Sequence, residues 1–130
     1  MKKPHIFKFA VAYADTDAEG VMYHARYIEV AERARSNLSR DMVIPDGDIG
    51  FVAREVNIKY MHPLLLNDEF QVESLTTKIG AASMVIEQKF VKDDKICAIM
   101  NITIAYLGGD MHPKAIPESI VNMLKNKKFI

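Results

Sequence analysis

Asp15 and Asp17 stand close together in the run Tyr13-Ala14-Asp15-Thr16-Asp17-Ala18-Glu19-Gly20-Val21-Met22-Tyr23-His24. A carboxylate can act on an activated acyl group, either by taking a proton from water or by attacking the carbonyl carbon itself. The reaction also needs hydrogen-bond donors for the oxygen that gains charge. The run ends where a long helix is expected to begin, and no Ser, Thr, Asp or Asn stands at its apparent N-cap near Tyr23. The first backbone N–H groups of that helix therefore lack a local acceptor, and the helix dipole favours negative charge beside them. Gly20 permits a backbone turn that other residues resist. An ordinary alternative exists: Asp-Thr-Asp ahead of a helix commonly serves only as a turn or cap.

Elements must hold these groups in place. Ile6 to Tyr13 is short, aromatic and β-branched, and reads as a strand. From about His24 to Arg40 the period becomes helical, with Tyr27, Ile28, Ala31, Ala34 and Leu38 on one face. Glu29 and Glu32 lie early in it and Arg33, Arg35 and Arg40 late, as the dipole prefers. Pro45 and Gly47 end it. After Gly50 the pattern is strand: Val52, Val56, Ile58 and Tyr60 alternate, with Arg54 interrupting the apolar side and expected to find an acidic partner on the helix. Phe70 to Thr77 follows the Asn67-Asp68 turn, Gly80 breaks the chain, and Met84, Ile86 and Phe90 lead to a hairpin at Asp93-Asp94-Lys95. Ile96, Ala98, Met100, Ile102, Ile104 and Tyr106 point to one side of a last strand, which Gly108-Gly109 ends. Ile116 to Leu124 reads as a short helix with Pro117 in its first turn. Short connections imply antiparallel pairing of successive strands. The expectation is an α+β domain spanning 1–130, with one helix covering one face of the sheet. The uncovered face or edge is then solvated or buried by another subunit.

Composition narrows the function classes. The 130 residues suit one domain, and 17 Lys and Arg balance 17 Asp and Glu, without the basic excess of a nucleic-acid binder. Cys97 is the only cysteine, which forbids an intrachain disulfide and suits a reducing cytosol. No stretch approaches the roughly 20 apolar residues of a membrane helix, and no signal peptide is evident, so a cytoplasmic location is expected. The histidines His5, His62 and His112 are widely scattered and show no metal-ligand spacing, so no metal is expected. No G-x-S-x-G elbow surrounds any serine, and no phosphate-binding glycine loop is present. The eight methionines read as core filler, some of them walling a plastic pocket.

The run Asp15 to Tyr27, followed by Glu32-Arg33-Ala34-Arg35, closely resembles the signature of the 4-hydroxybenzoyl-CoA thioesterase family. It is most similar to the branch associated with the bacterial Tol–Pal gene cluster. The resemblance continues through Phe51 to Arg54, Tyr60-Met61-His62-Pro63, Gly80 to Ser83 and Lys114 to Ser119, in order along the chain. It implies a hot-dog fold, in which a curved antiparallel sheet of about five strands wraps one long helix and subunits pair as a homodimer or homotetramer. It further implies hydrolysis of acyl-CoA near a subunit interface, with CoA entering as part of the substrate and no separate cofactor. Asp17 takes the place of the catalytic carboxylate, and the backbone N–H of His24 that of the oxyanion donor. The His24 side chain matches the histidine of that branch. Substrate contacts are implied at Gly20, Val21, Tyr23, Gly80 and Ser83, although by residue type alone Tyr23 packs and Ser83 is an ordinary strand serine. Asp15 reads as structural.

This chain departs from the pattern at Glu19, where relatives often carry a small residue, and at Ile79, where some carry a cation. Lys59, Lys78 and Lys114 remain candidates for the CoA phosphates. Other readings are a thioesterase acting on acyl groups held by an acyl carrier protein, and a non-catalytic acyl-CoA-binding or envelope-associated assembly protein.

Overall fold

The computed structural model describes all 130 residues. Its elements are β1 (His5–Ala10), a 3-10 turn (Tyr13–Asp15), α1 (Arg26–Leu38), β2 (Gly50–Tyr60), β3 (Glu69–Ile79), β4 (Ser83–Lys92), β5 (Lys95–Leu107) and α2 (Glu118–Asn126). The five strands form one sheet in the order β1-β3-β4-β5-β2, and every neighbouring pair is antiparallel. Asp93 and Asp94 take φ of 48° and 63° in the β4–β5 turn, the conformation a tight hairpin requires.

Helix α1 lies on one face of this sheet. Its stripe of Tyr27, Val30, Ala31, Ala34 and Leu38 joins Phe70, Val72, Phe90, Ala98, Met100 and Ile102 in a single core. Burying each large apolar side chain of this kind stabilises the fold by roughly 1.5–3 kcal/mol. The expected buried residue Ile28 is instead 39% exposed, and Val30 at 1% takes its place. Ile28 lies about 100° round the helix from Tyr27, which puts it on the flank of the stripe. The opposite sheet face carries Gln71, Glu73, Glu87 and Lys89 together with Leu75, Val85 and Ile99, all partly exposed.

Several other expectations are corrected. β1 ends at Ala10 because the Asp15 carboxylate accepts the Ala12 N–H at 2.8 Å and folds the next residues into the 3-10 turn. The first helix starts at Arg26, two residues after His24, and α2 starts at Glu118 with Pro117 as its N-cap. Arg54 sits at a β-bulge between Ala53 and Glu55, which turns it outward, and it forms no ion pair with the helix.

The largest correction concerns β2. It does not pair with β3, its successor, but with β5 at the far edge of the sheet. The connection after Tyr60 is no hairpin, because Pro63 lacks an N–H and Leu64 is fully buried. Its backbone bonds go to the acidic loop: Met22 N–H donates to Leu64 O at 2.7 Å, and Leu66 N–H to Gly20 O at 3.0 Å. The crossover therefore runs alongside the segment that carries Asp17.

Candidate active site

Between β1 and α1 the chain forms a small hairpin-like loop, bridged at Thr16–Met22, with Gly20 near its tip at φ +79°. Asp15 anchors the loop. One of its carboxylate oxygens accepts from Ala12, the other lies 3.3 Å from Arg26 Nε, and its carbonyl accepts the Tyr23 N–H at 2.8 Å. Arg26, the first residue of α1, also donates to Ala14 O at 2.6 Å, so loop and helix start are tied together.

Asp17 projects from that loop and is exposed. Its Oδ1 accepts the Glu19 N–H at 2.9 Å and the Val21 N–H at 3.3 Å, which orients the carboxylate. Oδ2 has no partner within the chain. Glu19 points into solvent. The Tyr23 N–H is taken by Asp15, but the His24 N–H finds no acceptor, and α1 has no side-chain cap. The N-cap is Ala25 rather than a residue near Tyr23, so His24 sits in the turn that leads into the helix.

Tyr60, at the end of β2, holds this entry. Its hydroxyl donates to His24 O at 2.6 Å, and its ring packs edge-on against Tyr27 at 5.0 Å. Burial raises the phenol pKa of both Tyr27 and Tyr60, so both stay protonated and Tyr60 remains a donor. Asp17, Val21, Met22, His24 and Tyr27 line an open hollow of about 290 Å³ with Tyr60, Met61, His62 and Pro63. No three His, Cys, Asp or Glu side chains of the chain converge closely enough to hold a metal ion.

The structure thus brings together Asp17, Val21 and His24. Gly20 shapes the loop without lining the hollow, and Tyr23 packs against the His24 ring at 4.5 Å with the planes tilted by 55°, its own side chain about half exposed. Gly80 and Ser83 lie elsewhere in the chain, in a separate hollow of about 200 Å³ shared with Arg54, Lys78 and Thr103. Tyr60 and His62 also line the hollow, and neither residue type nor spacing singles them out. The available signal was their shared segment Tyr60-Met61-His62-Pro63, which closes β2 just where the crossover begins.

Comparison with known proteins agrees with this architecture. The thioesterase-like superfamily matches residues 11–124, and the chain belongs to that family. Acyl-CoA thioesterase YbgC of Haemophilus influenzae is 30% identical over 88% of this chain and 89% of its own length. Acyl-CoA thioester hydrolase YbgC of Escherichia coli O6:H1 is 31% identical over 88% of this chain and 91% of its own. Among solved structures, the Staphylococcus aureus protein SAV2348 in complex with CoA superposes with a TM-score of 0.88, covering 98% of this chain and 86% of that one at 14% identity. That likeness concerns the hot-dog fold alone.

Proposed function

We propose that the chain hydrolyses acyl-CoA thioesters to free acid and CoA, with Asp17 as the reacting carboxylate and the His24 N–H holding the thioester oxygen. One observation carries this reading: a carboxylate with an unpartnered oxygen shares a hollow with a helix entry whose N–H has no acceptor. The donor stabilises charge as it develops on the oxygen, and the orienting bonds to Asp17 Oδ1 hold the other oxygen ready. The names of the YbgC relatives support acyl-CoA as the substrate class. Arg54 and Lys78, beside Gly80 and Ser83, are the cations best grouped to meet CoA phosphates. The exposed edge strand β2 presents Val52, Val56 and Tyr60, which supports a second copy pairing there. Sedimentation as a monomer at assay concentration would remove that last element.

Asp17→Asn tests the assignment. Asn keeps an oxygen for the Glu19 and Val21 N–H groups, so the loop survives while the charge is lost. Thiol release from the best acyl-CoA of a chain-length and aromatic panel should fall by about 10²–10⁴. Wild-type turnover in that variant would overturn the assignment.

A further inference from the structure

The hollow beside Asp17 contains a group that the reading above leaves idle. His62 lines it from the crossover, on a chain segment separate from the loop that supplies Asp17 and His24. Its backbone is fixed: the Met61 and His62 N–H groups both donate to Cys97 O, at 2.8 and 3.0 Å, where β2 leaves β5. Bulge-like sharing of one carbonyl re-aims the side chains that follow a strand. His5 and His112 are the histidines whose rings hydrogen-bond within the chain, so the ring nitrogens of His62 are uncommitted. The titratable groups facing it in the hollow are Asp17 and His24 from the loop, Tyr27 from α1 and Tyr60 from β2, with no Lys or Arg among them.

The chemistry needs a base that Asp17 is poorly suited to be. Once Asp17 is committed to attacking the carbonyl carbon it cannot also take the proton of the hydrolytic water, and an imidazole is the side chain that most often serves as such a base. We propose that His62 is a second catalytic residue, the general base that activates the hydrolytic water; this rests on the thioesterase reading. Asp17 Oδ2 attacks the thioester carbon, the C–S bond breaks, and its electron pair leaves on sulfur, which takes a proton from solvent. Water then attacks the acyl carbon of the resulting anhydride and gives its proton to neutral His62. The bond between Asp17 and the acyl carbon breaks, its pair returns to the carboxylate, and the imidazolium releases its proton to solvent. Net, one thioester and one water become one acid and one thiol.

The test is the pH dependence of kcat and kcat/KM on the best acyl-CoA, for the wild type and the variants His62→Gln, His24→Gln and Asp17→Asn. His62 is exposed and its ring makes no hydrogen bond, so His62→Gln should fold normally, which a melting curve checks. Wild-type kcat should fall on the acid side of its profile as the general base becomes protonated. His62→Gln should lose about 10²-fold in kcat at neutral pH, with KM little changed, and should lose that limb of the profile. His24→Gln should keep the limb. A His62→Gln profile that retains the limb, or a His24→Gln profile that loses it instead, overturns the proposal. Full activity in Asp17→Asn would strike the assignment of Asp17, while an acid limb lost in His62→Gln alone would still support His62 as the base that activates water.

Discussion

Asp15 and Asp17 are the same residue type two positions apart, yet the structure gives them separable roles, and Asp15→Asn separates them. The Asp15 side chain is about one-tenth exposed, and that of its partner Arg26 about three-tenths. Asn offers only one oxygen. If that oxygen keeps the bond from Ala12 N–H, its NH₂ faces the Arg26 guanidinium; if it turns to Arg26, the Ala12 N–H is left unpaired. One contact must be lost either way. A hydrogen bond to a charged group contributes about 1.5–3 kcal/mol, and the contact to Arg26 Nε adds little because that N–H is not aligned with the carboxylate. With the Ala12 bond kept but its acceptor no longer charged, a loss of about 1 kcal/mol is expected, or roughly 3–5 °C in melting temperature for a chain of this size. Urea unfolding with parallel thiol-release kinetics measures both effects. Asp15→Asn should lower the unfolding midpoint clearly and reduce kcat less than Asp17→Asn does, whereas Asp17→Asn should leave the midpoint within about 0.5 kcal/mol of wild type. A stable Asp15→Asn protein with turnover as poor as that of Asp17→Asn would refute the division of roles.

Gly20→Ala should cost about 1–2 kcal/mol from backbone strain alone, since Gly20 has φ +79° and nothing lies within 4 Å of an added Cβ; an unchanged urea midpoint would contradict this. Gln88 is fully buried and donates to Ala31 O and Ser74 Oγ while accepting from Arg35, which docks α1 on β3 and β4. Gln88→Leu should therefore lose about 2–4 kcal/mol, read by the same unfolding assay. Asp48 is held below the ordinary carboxylate range by a bond from Lys114 and then one from Tyr106. Because its folded value lies below its unfolded value, the stabilisation is present above the ordinary carboxylate range and is lost as pH falls through the folded value. Tyr106 is pushed up to about 12 by burial first and Asp48 second, so its contribution is full below about 10 and lost as pH rises through about 12. Unfolding midpoints across pH should show both limbs. Asp48→Asn should flatten the acid limb and only reduce the alkaline one, and an unaltered acid limb would count against the cluster.

What the sequence determined by itself was local. The stripe of α1, the alternation of β5 from Ala98 to Tyr106, the Asp93-Asp94 hairpin and the uncapped helix beside Asp17 follow from periodicity and from hydrogen bonds between near neighbours, which a short run of residues specifies, whereas a bulge at Cys97 puts Ile96 on the other face. The tertiary structure alone decided which strand β2 joins, and with it the composition of the site. Pairing with β5 rather than β3 is a choice between partners distant in the chain, set by how the whole apolar face is buried. That choice sends residues 61–68 past the acidic loop, brings Tyr60 and His62 to Asp17, and leaves Gly80 and Ser83 in another hollow. It also turns Arg54 outward at a bulge, which no pattern of residue types foretells because a one-residue insertion reverses the facing of all that follows.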